Sequence, residues 1–191
     1  GRTKFSFSVE DSSNTTNEVF EVLIRERSTA HIVSAVGDYL EGGVLIAGSL
    51  REAIEVANNN DIIVFDFPNL DFPVTIRLQR PLEIDKNLTV VGSGVDQLFI
   101  SGDTDGDDVG DVSLFTVDGG AQLGLEQLTL EYGVAASYGG AVEVRTGSSL
   151  VARFCSFENN SAGQYGGAID VFRGGLTIEQ CLFLDNKVTG S

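Results

Sequence analysis

The fold is decided by a stretch that occurs twice: Tyr138-Gly139-Gly140-Ala141-Val142 and, 27 residues later, Tyr165-Gly166-Gly167-Ala168-Ile169. A second motif repeats at nearly the same offset, since Cys155-Ser156-Phe157-Glu158-Asn159-Asn160 returns after 26 residues as Cys181-Leu182-Phe183-Leu184-Asp185-Asn186. Repeats of about 20–50 residues are typical of folds built from stacked units, because one unit alone cannot bury its apolar face. The chain is therefore predicted to contain successive copies of one structural unit.

Within each repeat, apolar and polar residues alternate in short runs, as they do from Leu176 to Ile178 and from Ile169 to Val171. Alternation with a period of two, interrupted by Gly and Asn, predicts short strands separated by turns. No run in the repeat has the spacing of an amphipathic helix. Three short strands in 26–27 residues predict an all-β protein. The expected fold is a right-handed parallel β-helix, in which equivalent residues of successive rungs lie about 4.8 Å apart.

The residues before the repeats predict a cap for this β-helix. Ser49 is placed to be the N-cap of a helix over residues 49–58, and Glu52 is placed to complete a capping box. Apolar residues at helical spacing are expected to be buried, and charged residues between them are expected to face water. The apolar set is Leu50, Ala53, Ile54 and Ala57, and the charged set is Arg51, Glu52 and Glu55.

The patterns divide the chain into three segments. Residues 1–30 alternate apolar and polar positions on both sides of an Asn- and Thr-rich link, which predicts a β-hairpin. This hairpin is interpreted either as the remnant of a sandwich domain or as an assembly arm that packs on the solenoid or on a neighbouring molecule. Residues 31–60 are interpreted as the N-terminal cap. Residues 61–191 are interpreted as the β-helix, with an open C-terminal end.

Two motifs carry a family resemblance. Gly-Gly-Ala followed by Val142 or Ile169, together with Phe-x-x-Asn, resembles the repeat of polymorphic outer-membrane proteins and related pectin-lyase-like surface proteins. Gly48-Ser49-Leu50-Arg51-Glu52-Ala53-Ile54 resembles the CSLREA segment that opens such β-helices, with Gly48 in place of the usual Cys. The resemblance covers residues 32–191 and implies a surface or adhesive protein. Enzymes of the fold that this resemblance implies act on polysaccharides, and they use acidic side chains on an outer strand face of the protein.

The chain is strongly acidic, with a formal net charge of −16 at pH 7 and 12 Lys and Arg residues among 191. This charge argues against nucleic acid or an anionic membrane as a partner, because phosphate binding needs a basic surface. No apolar run is long enough to predict a membrane span. Two cysteines do not provide a disulfide framework. The composition suits an extracellular or cell-surface location.

An acidic insertion lies between Gly102 and Val112, from Asp103 to Asp111. Its aspartates repel one another unless a cation or solvent separates them, and flexible loops rich in carboxylate oxygens are the sites that Ca²⁺ prefers. The spacing departs from an EF-hand, because Asp108 and Leu114 stand where the turn glycine and the bidentate Glu are required. A calcium site and a solvated loop both stay open, and no cofactor is required. The candidate calcium ligands are Asp103, Asp105, Asp107, Asp108 and Asp111.

The repeat offsets place Glu143 and Asp170 next to each other in one outward-facing column with Thr116. Two carboxylates about 5 Å apart have the separation found in retaining glycosidases, and the family resemblance adds polysaccharide chemistry to this pattern. Arg145 and Arg173 are close enough in sequence to neutralise the pair. Neither repeat contains a His that could serve as an acid or base. A catalytic role for Glu143 and Asp170 is therefore the alternative to a non-catalytic protein.

Four kinds of repeated residue are interpreted as structural. Inward cysteines are expected to form a reduced, buried pair rather than a disulfide, and phenylalanines are expected to stack in the core. Asparagines at a turn are expected to bond from rung to rung, and paired glycines supply positive φ and close backbone approach. These residues are Cys155 and Cys181; Phe157 and Phe183; Asn160 and Asn186; and Gly139, Gly140, Gly166 and Gly167.

Three functions are compatible with these patterns. We favour a non-catalytic extracellular structural or adhesive protein, such as a subunit of a cell-surface filament or the N-terminal part of a longer adhesin. Its partners would be further copies of itself, or a longer chain, at the open rung and the hairpin. The alternatives are a polysaccharide lyase or glycosidase that uses Glu143 and Asp170, and a calcium-stabilised module that binds surface carbohydrate or protein.

Overall fold

The computed structural model describes residues 9–11, 14–16, 29–40 and 44–190. This part of the chain contains one helix and 22 short strands. In chain order they are β1 (Val9–Asp11), β2 (Asn14–Thr16), β3 (Ala30–Val33), β4 (Tyr39–Leu40), β5 (Val44–Leu45), α1 (Leu50–Val56), β6 (Asp61–Phe65), β7 (Val74–Arg77), β8 (Leu82–Ile84), β9 (Leu88–Val91), β10 (Leu98–Ser101), β11 (Phe115–Val117), β12 (Gln122–Glu126), β13 (Thr129–Glu131), β14 (Val134–Ala135), β15 (Val142–Val144), β16 (Ser149–Arg153), β17 (Ser156–Glu158), β18 (Ser161–Ala162), β19 (Ile169–Val171), β20 (Gly175–Glu179), β21 (Leu182–Leu184) and β22 (Lys187–Val188).

Three parallel sheets run along the length of the solenoid. The first sheet has the order β3-β6-β9-β12-β16-β20, the second β7-β10-β13-β17-β21, and the third β8-β11-β15-β19. Each strand pairs with the equivalent strand of the next rung, so the chain passes through the three sheets once per rung. This arrangement confirms the prediction of an all-β parallel β-helix.

The register agrees with the sequence offsets. Val142 pairs with Ile169 in the third sheet, and Phe157 pairs with Phe183 in the second. The two phenylalanine rings are nearly parallel, with centroids 4.8 Å apart. Identical side chains therefore stack on one another, which fixes the pairing because a slip of one residue would turn every apolar side chain outward.

A fourth, shorter parallel sheet consists of β14, β18 and β22. Val134 pairs with Ser161, which pairs with Lys187, and an isolated parallel bridge joins Tyr138 to Tyr165. The sequence predicted three strands per rung and did not include this one, because a two-residue strand is too short to show alternation. The fourth sheet lies between the second and third sheets in chain order.

Inward-facing residues of the three long sheets form one continuous core. Leu123 and Leu150 stack in the first sheet and are fully buried, and Phe157 in the second sheet is buried equally. The equivalent residues of the last rung, Leu176 and Phe183, are 48% and 46% exposed, because β20 and β21 are edge strands. Whether a further copy or a longer chain covers this edge stays a prediction.

The helix α1 packs against the first strands of the solenoid, β3 and β6. Its N-cap is Ser49, whose hydroxyl oxygen accepts a hydrogen bond from the Glu52 amide at 3.1 Å. The Glu52 carboxylate in turn accepts a hydrogen bond from the Gly48 amide. Both ends of the capping interaction are therefore made, although the carboxylate reaches one residue further back than the usual capping box.

Arg51 corrects the prediction that the charged residues of this helix face water, because its side chain is buried. Its guanidinium donates hydrogen bonds at 2.7 Å to both carboxylate oxygens of Asp38, and two more to the carbonyl oxygens of Arg80 and Pro81. A guanidinium can be buried when a bidentate carboxylate and further acceptors satisfy its donors. Helical periodicity could not reveal a partner that lies on a different segment.

The N-terminal segment is described only in part. β1 and β2 pair antiparallel, with Val9 opposite Thr16, and most of the hairpin predicted for residues 1–30 lies outside the described residues. Among the residues that are described, no helix has the length and apolar character needed to cross a bilayer.

Candidate functional site

A groove lies over the outward face of the third sheet and is bordered by Tyr138 and Tyr165, the residues joined by the isolated bridge. Its volume is about 610 Å³. We call it the tyrosine groove and define it by its aromatic residues, Tyr138, Tyr165 and Phe172, and its charged residues, Asp118, Glu143, Arg145 and Asp170. The pair of carboxylates singled out from the sequence, Glu143 and Asp170, therefore lies inside a depression of ligand size.

The floor of the groove is one column of the third sheet. Equivalent positions of β8, β11, β15 and β19 carry Glu83, Thr116, Glu143 and Asp170, each paired with the next. Residues on either side of this column, such as Val142, point inward and are buried. Because strands of one sheet lie about 4.8 Å apart, Glu143 and Asp170 are neighbours along the solenoid axis. Thr116 of the preceding rung was expected to face outward with them but is buried, so the accessible column is interrupted there.

A second depression continues the groove toward the N-terminal rungs. Its volume is about 520 Å³, and its lining includes Pro81 and Val112. Tyr138, Glu143 and Arg145 line both depressions. The two therefore meet at these three residues and form one extended channel along the side of the molecule, which suits a chain-like ligand better than a compact one.

Paired glycines set the position of each tyrosine. Gly139 has φ of 60°, and a Cβ there would lie 2.3 Å from the Val142 carbonyl oxygen. A Cβ on Gly140 would lie 2.4 Å from the Gly167 carbonyl oxygen of the next rung. Only glycine fits both constraints, the left-handed backbone and the close approach between rungs. The repeated Tyr-Gly-Gly motif therefore places the same side chain at the same point of successive rungs.

The two tyrosines form an exposed pair on the groove wall. Their rings are 8° from parallel with centroids 6.0 Å apart, and Tyr138 and Tyr165 are 42% and 63% exposed. Sequence reasoning did not assign them a role, although both belong to the repeated motif. The signal that could have identified them is the repeat itself. In both rungs a tyrosine stands immediately before the glycine pair, at a position that the alternating pattern does not assign to the core.

Charges in the groove are unevenly paired. The guanidinium of Arg145 donates hydrogen bonds to Glu143 at 3.0 Å and to Asp118 at 3.3 Å. Asp170 has no ion-pair partner among the described residues. Burial, and then the neighbouring charge of Glu143, raise the pKa of Asp170, whereas the Gly119 amide and then Arg145 lower the pKa of Asp118. Glu143 is paired with Arg145 and Asp170 is not, so the two carboxylates of the floor column lie in unlike surroundings.

The acidic loop has a carboxylate at its centre. Asp103 is buried, and its two carboxylate oxygens accept hydrogen bonds from the amides of Gly106, Asp107 and Asp108. Oxygen atoms of Asp103, Asp105 and Asp111 lie within 4.8 Å of one another. The structure therefore brings three of the five predicted calcium ligands together, with Asp107 and Asp108 outside this group. Calcium binding here stays a prediction, which a chelator tests through the melting temperature.

A second pair of stacked carboxylates lies on the second sheet. Glu131 pairs with Glu158 in register, and the Ser156 hydroxyl donates a hydrogen bond to Glu158 at 2.6 Å. Burial, and then the charge of Glu158, raise the pKa of Glu131 to about 7. Near neutral pH this pair therefore holds a proton for part of the time, as two close carboxylates do when both cannot ionise easily.

The repeated asparagines and cysteines lie in the interior of the rungs. Asn160 is fully buried; its amide group donates to the Leu130 carbonyl and to Asn186, and its oxygen accepts from the Gly133 amide. Cys155 is buried and Cys181 half-buried, and both thiols are free. Burial raises the pKa of Cys155 to about 12, so this thiol is unreactive at neutral pH.

The chain is classified by its fold, because comparison with known proteins found no relative. No protein-family model, curated protein or solved structure matches it. The fold is a parallel β-helix. This conclusion follows from the strand pairing alone.

Proposed function

We propose that this chain is a non-catalytic structural and adhesive β-helix of the cell surface, and that it binds glycan in the tyrosine groove. The observation that carries the proposal is the exposed, parallel pair Tyr138 and Tyr165 beside the carboxylates of an extended channel. Sugars present apolar C–H faces together with hydroxyl groups. Tyrosine rings pack against the C–H faces, and carboxylate oxygens accept hydrogen bonds from the hydroxyl groups.

The family resemblance is consistent with this role. We propose that the chain is related to CSLREA-type, polymorphic outer-membrane and pectin-lyase-like surface proteins, on the basis of Gly48–Ile54 and the repeated Gly-Gly-Ala and Phe-x-x-Asn motifs. A stiff solenoid with a ligand groove on its side suits a protein that holds a binding surface away from the cell. The acidic composition suits the same extracellular location.

Glycan binding by groove variants tests the proposal. The wild-type chain, Tyr138→Ala, Tyr165→Ala and the control Phe154→Ala, which removes an aromatic ring that is 49% exposed outside the groove, would be applied to a glycan array and then to calorimetry. We expect each tyrosine variant to lose about tenfold in affinity, and the control to bind as wild type does. Absence of binding to any glycan, or equal binding by all four proteins, would contradict the proposal.

A second candidate function is hydrolysis of the bound glycan, favoured by the unlike surroundings of the two floor carboxylates. Glu143 is ion-paired with Arg145, whereas the pKa of Asp170 is raised. Glycosidases use two neighbouring carboxylates in unlike surroundings, and here Asp170 would be the general acid and Glu143 the nucleophile. The test is product formation from any glycan that binds, with Glu143→Gln as control. Binding without turnover would reject this candidate.

Assembly is the remaining part of the proposal. We propose that further copies or a longer chain contact the last rung, where Leu182 and Phe183 are exposed, and the N-terminal segment that contains β1 and β2. Apolar edge strands are the surfaces through which solenoids extend. Light scattering across a range of concentrations tests this. A monodisperse monomer at every concentration would contradict assembly without affecting the glycan proposal.

A further inference from the structure

The tyrosine groove carries a net negative charge. Three carboxylates, Asp118, Glu143 and Asp170, line the groove with the guanidinium of Arg145. A second guanidinium, that of Arg173, lies 5.2 Å from the centroid of the Phe172 ring at the groove edge, so negative charges still outnumber positive ones. Glu83 occupies the same column two rungs before Glu143, but it lies outside the groove and lines a different depression. Since the whole chain has a formal charge of −16, no long-range field opposes this local one. Charge complementarity therefore favours a cationic ligand over an anionic one.

Asp170 is the carboxylate available to such a ligand. Arg145 is committed to Glu143 and Asp118 through its two terminal nitrogens, and no cationic group of the described residues pairs with Asp170. Burial and the adjacent Glu143 disfavour its ionised form, which is reflected in its raised pKa. A ligand cation at this point would relieve both effects, because an opposite charge within a few ångströms favours the ionised carboxylate.

The shape and backbone of the groove favour a glycan over a peptide. Extended peptides bind to sheets by adding a strand to a free edge. The floor strands β11 and β15 are each paired on both sides, and β19 is free only along its outer edge, so a peptide strand could add at that edge but not along the floor. A sugar chain needs none, since it can use the tyrosine rings and the column of side chains. An ammonium group on the sugar also gains attraction from the faces of the aromatic rings.

We propose that the tyrosine groove binds a glycan that carries free amino groups, such as an oligomer of glucosamine, in preference to neutral or acidic glycans. This inference rests on the proposed function and specifies its ligand. The ammonium groups pair with Asp170 and the neighbouring carboxylates of the floor column, while the sugar rings pack against Tyr138 and Tyr165.

Tyrosine fluorescence provides the assay. The chain has four tyrosines and no tryptophan, and two of the four line the groove. The probes are oligomers of glucosamine, N-acetylglucosamine and galacturonate of equal length, together with oligolysine. Binding would be measured at low salt and about pH 6, where the sugar amines are protonated and surface charges are weakly screened. The variants are Asp170→Asn and the control Asp185→Asn, which removes the same charge from an exposed position outside the groove.

We expect the glucosamine oligomer to bind about tenfold more tightly than its acetylated counterpart, as a few ion pairs would give, and to weaken as salt is added. Asp170→Asn should weaken binding of the glucosamine oligomer much more than that of the acetylated oligomer, and so remove most of this preference, whereas Asp185→Asn should change neither. Circular dichroism would verify that each variant keeps the wild-type fold.

Three outcomes would overturn the inference. Equal or tighter binding of the neutral or galacturonate oligomer would contradict the ligand class while leaving glycan binding intact. Oligolysine binding as tight as that of the glucosamine oligomer would show a surface that selects charge and not sugar. If no oligosaccharide of any charge binds, the proposed function fails together with the inference.

Discussion

Replacing Asn160 by Ala is expected to destabilise the solenoid strongly. The side chain is fully buried and makes three hydrogen bonds, to Leu130, Gly133 and Asn186, at 2.8–3.0 Å. Each bond contributes about 1 kcal/mol to stability, and a buried backbone amide left without an acceptor costs about 1–3 kcal/mol. Because Gly133 loses its acceptor, we expect a total loss of about 3–4 kcal/mol. For a chain of this size, that loss lowers the melting temperature by about 10 °C.

Asn186→Ala is the matched control. Asn186 occupies the equivalent turn of the next rung and bonds to the Phe157 carbonyl at 2.7 Å, but it is only half-buried. Its oxygen also accepts from the backbone and side-chain amides of Asn160, at 3.0 and 2.9 Å, and these lose an acceptor in the variant. Because water can reach the half-buried position, we expect a smaller loss than for Asn160→Ala, of about 1–2 kcal/mol. Thermal scans monitored by far-ultraviolet circular dichroism would compare both variants with wild type. A shift of less than about 3 °C for Asn160→Ala, or equal shifts for both variants, would refute the argument from burial.

Three further predictions concern stability. Because the folded state raises the pKa of Glu131 to about 7 from 4.5, stability falls as pH rises between these values. Glu131→Gln should abolish this fall and gain about 1 kcal/mol at pH 8 in urea titrations, whereas an unchanged pH dependence would contradict the assignment. Phe157→Ala should cost about 3–5 kcal/mol. Phe183→Ala should cost much less, since its ring is 46% exposed, and equal losses in chemical denaturation would count against the stacked core. Asp103→Asn should speed hydrogen exchange at the loop amides that donate hydrogen bonds to the Asp103 carboxylate, such as those of Gly106 and Asp108. Unaltered exchange would show that the loop conformation does not depend on these hydrogen bonds.

The repeat made the fold predictable from the sequence. Offsets of 27 and 26 residues are carried by whole motifs, so the pairing of Val142 with Ile169 and of Phe157 with Phe183 followed directly. The helix was predictable for a different reason, since Ser49 marks its start with a local capping interaction. In both cases the residues in contact can be identified from their separation along the chain.

The remaining features depend on contacts that spacing does not encode. Arg51 is buried by Asp38, which lies 13 residues earlier on another segment. The fourth sheet has strands of two residues, too short for a periodic signal. The groove is bordered by Tyr138 and Tyr165, which lie beside the column of Glu143 and Asp170, so the column was predictable and the cavity above it was not.

Chemical-shift mapping of the ¹⁵N-labelled chain with a glucosamine oligomer tests the central claim most directly. We predict that the amides that shift belong to the floor and wall of the tyrosine groove, around Asp118, Tyr138, Glu143, Tyr165 and Asp170. They should saturate together with one dissociation constant. Shifts confined to another surface, or no shifts at saturating oligomer, would contradict the claim that this groove is the binding site.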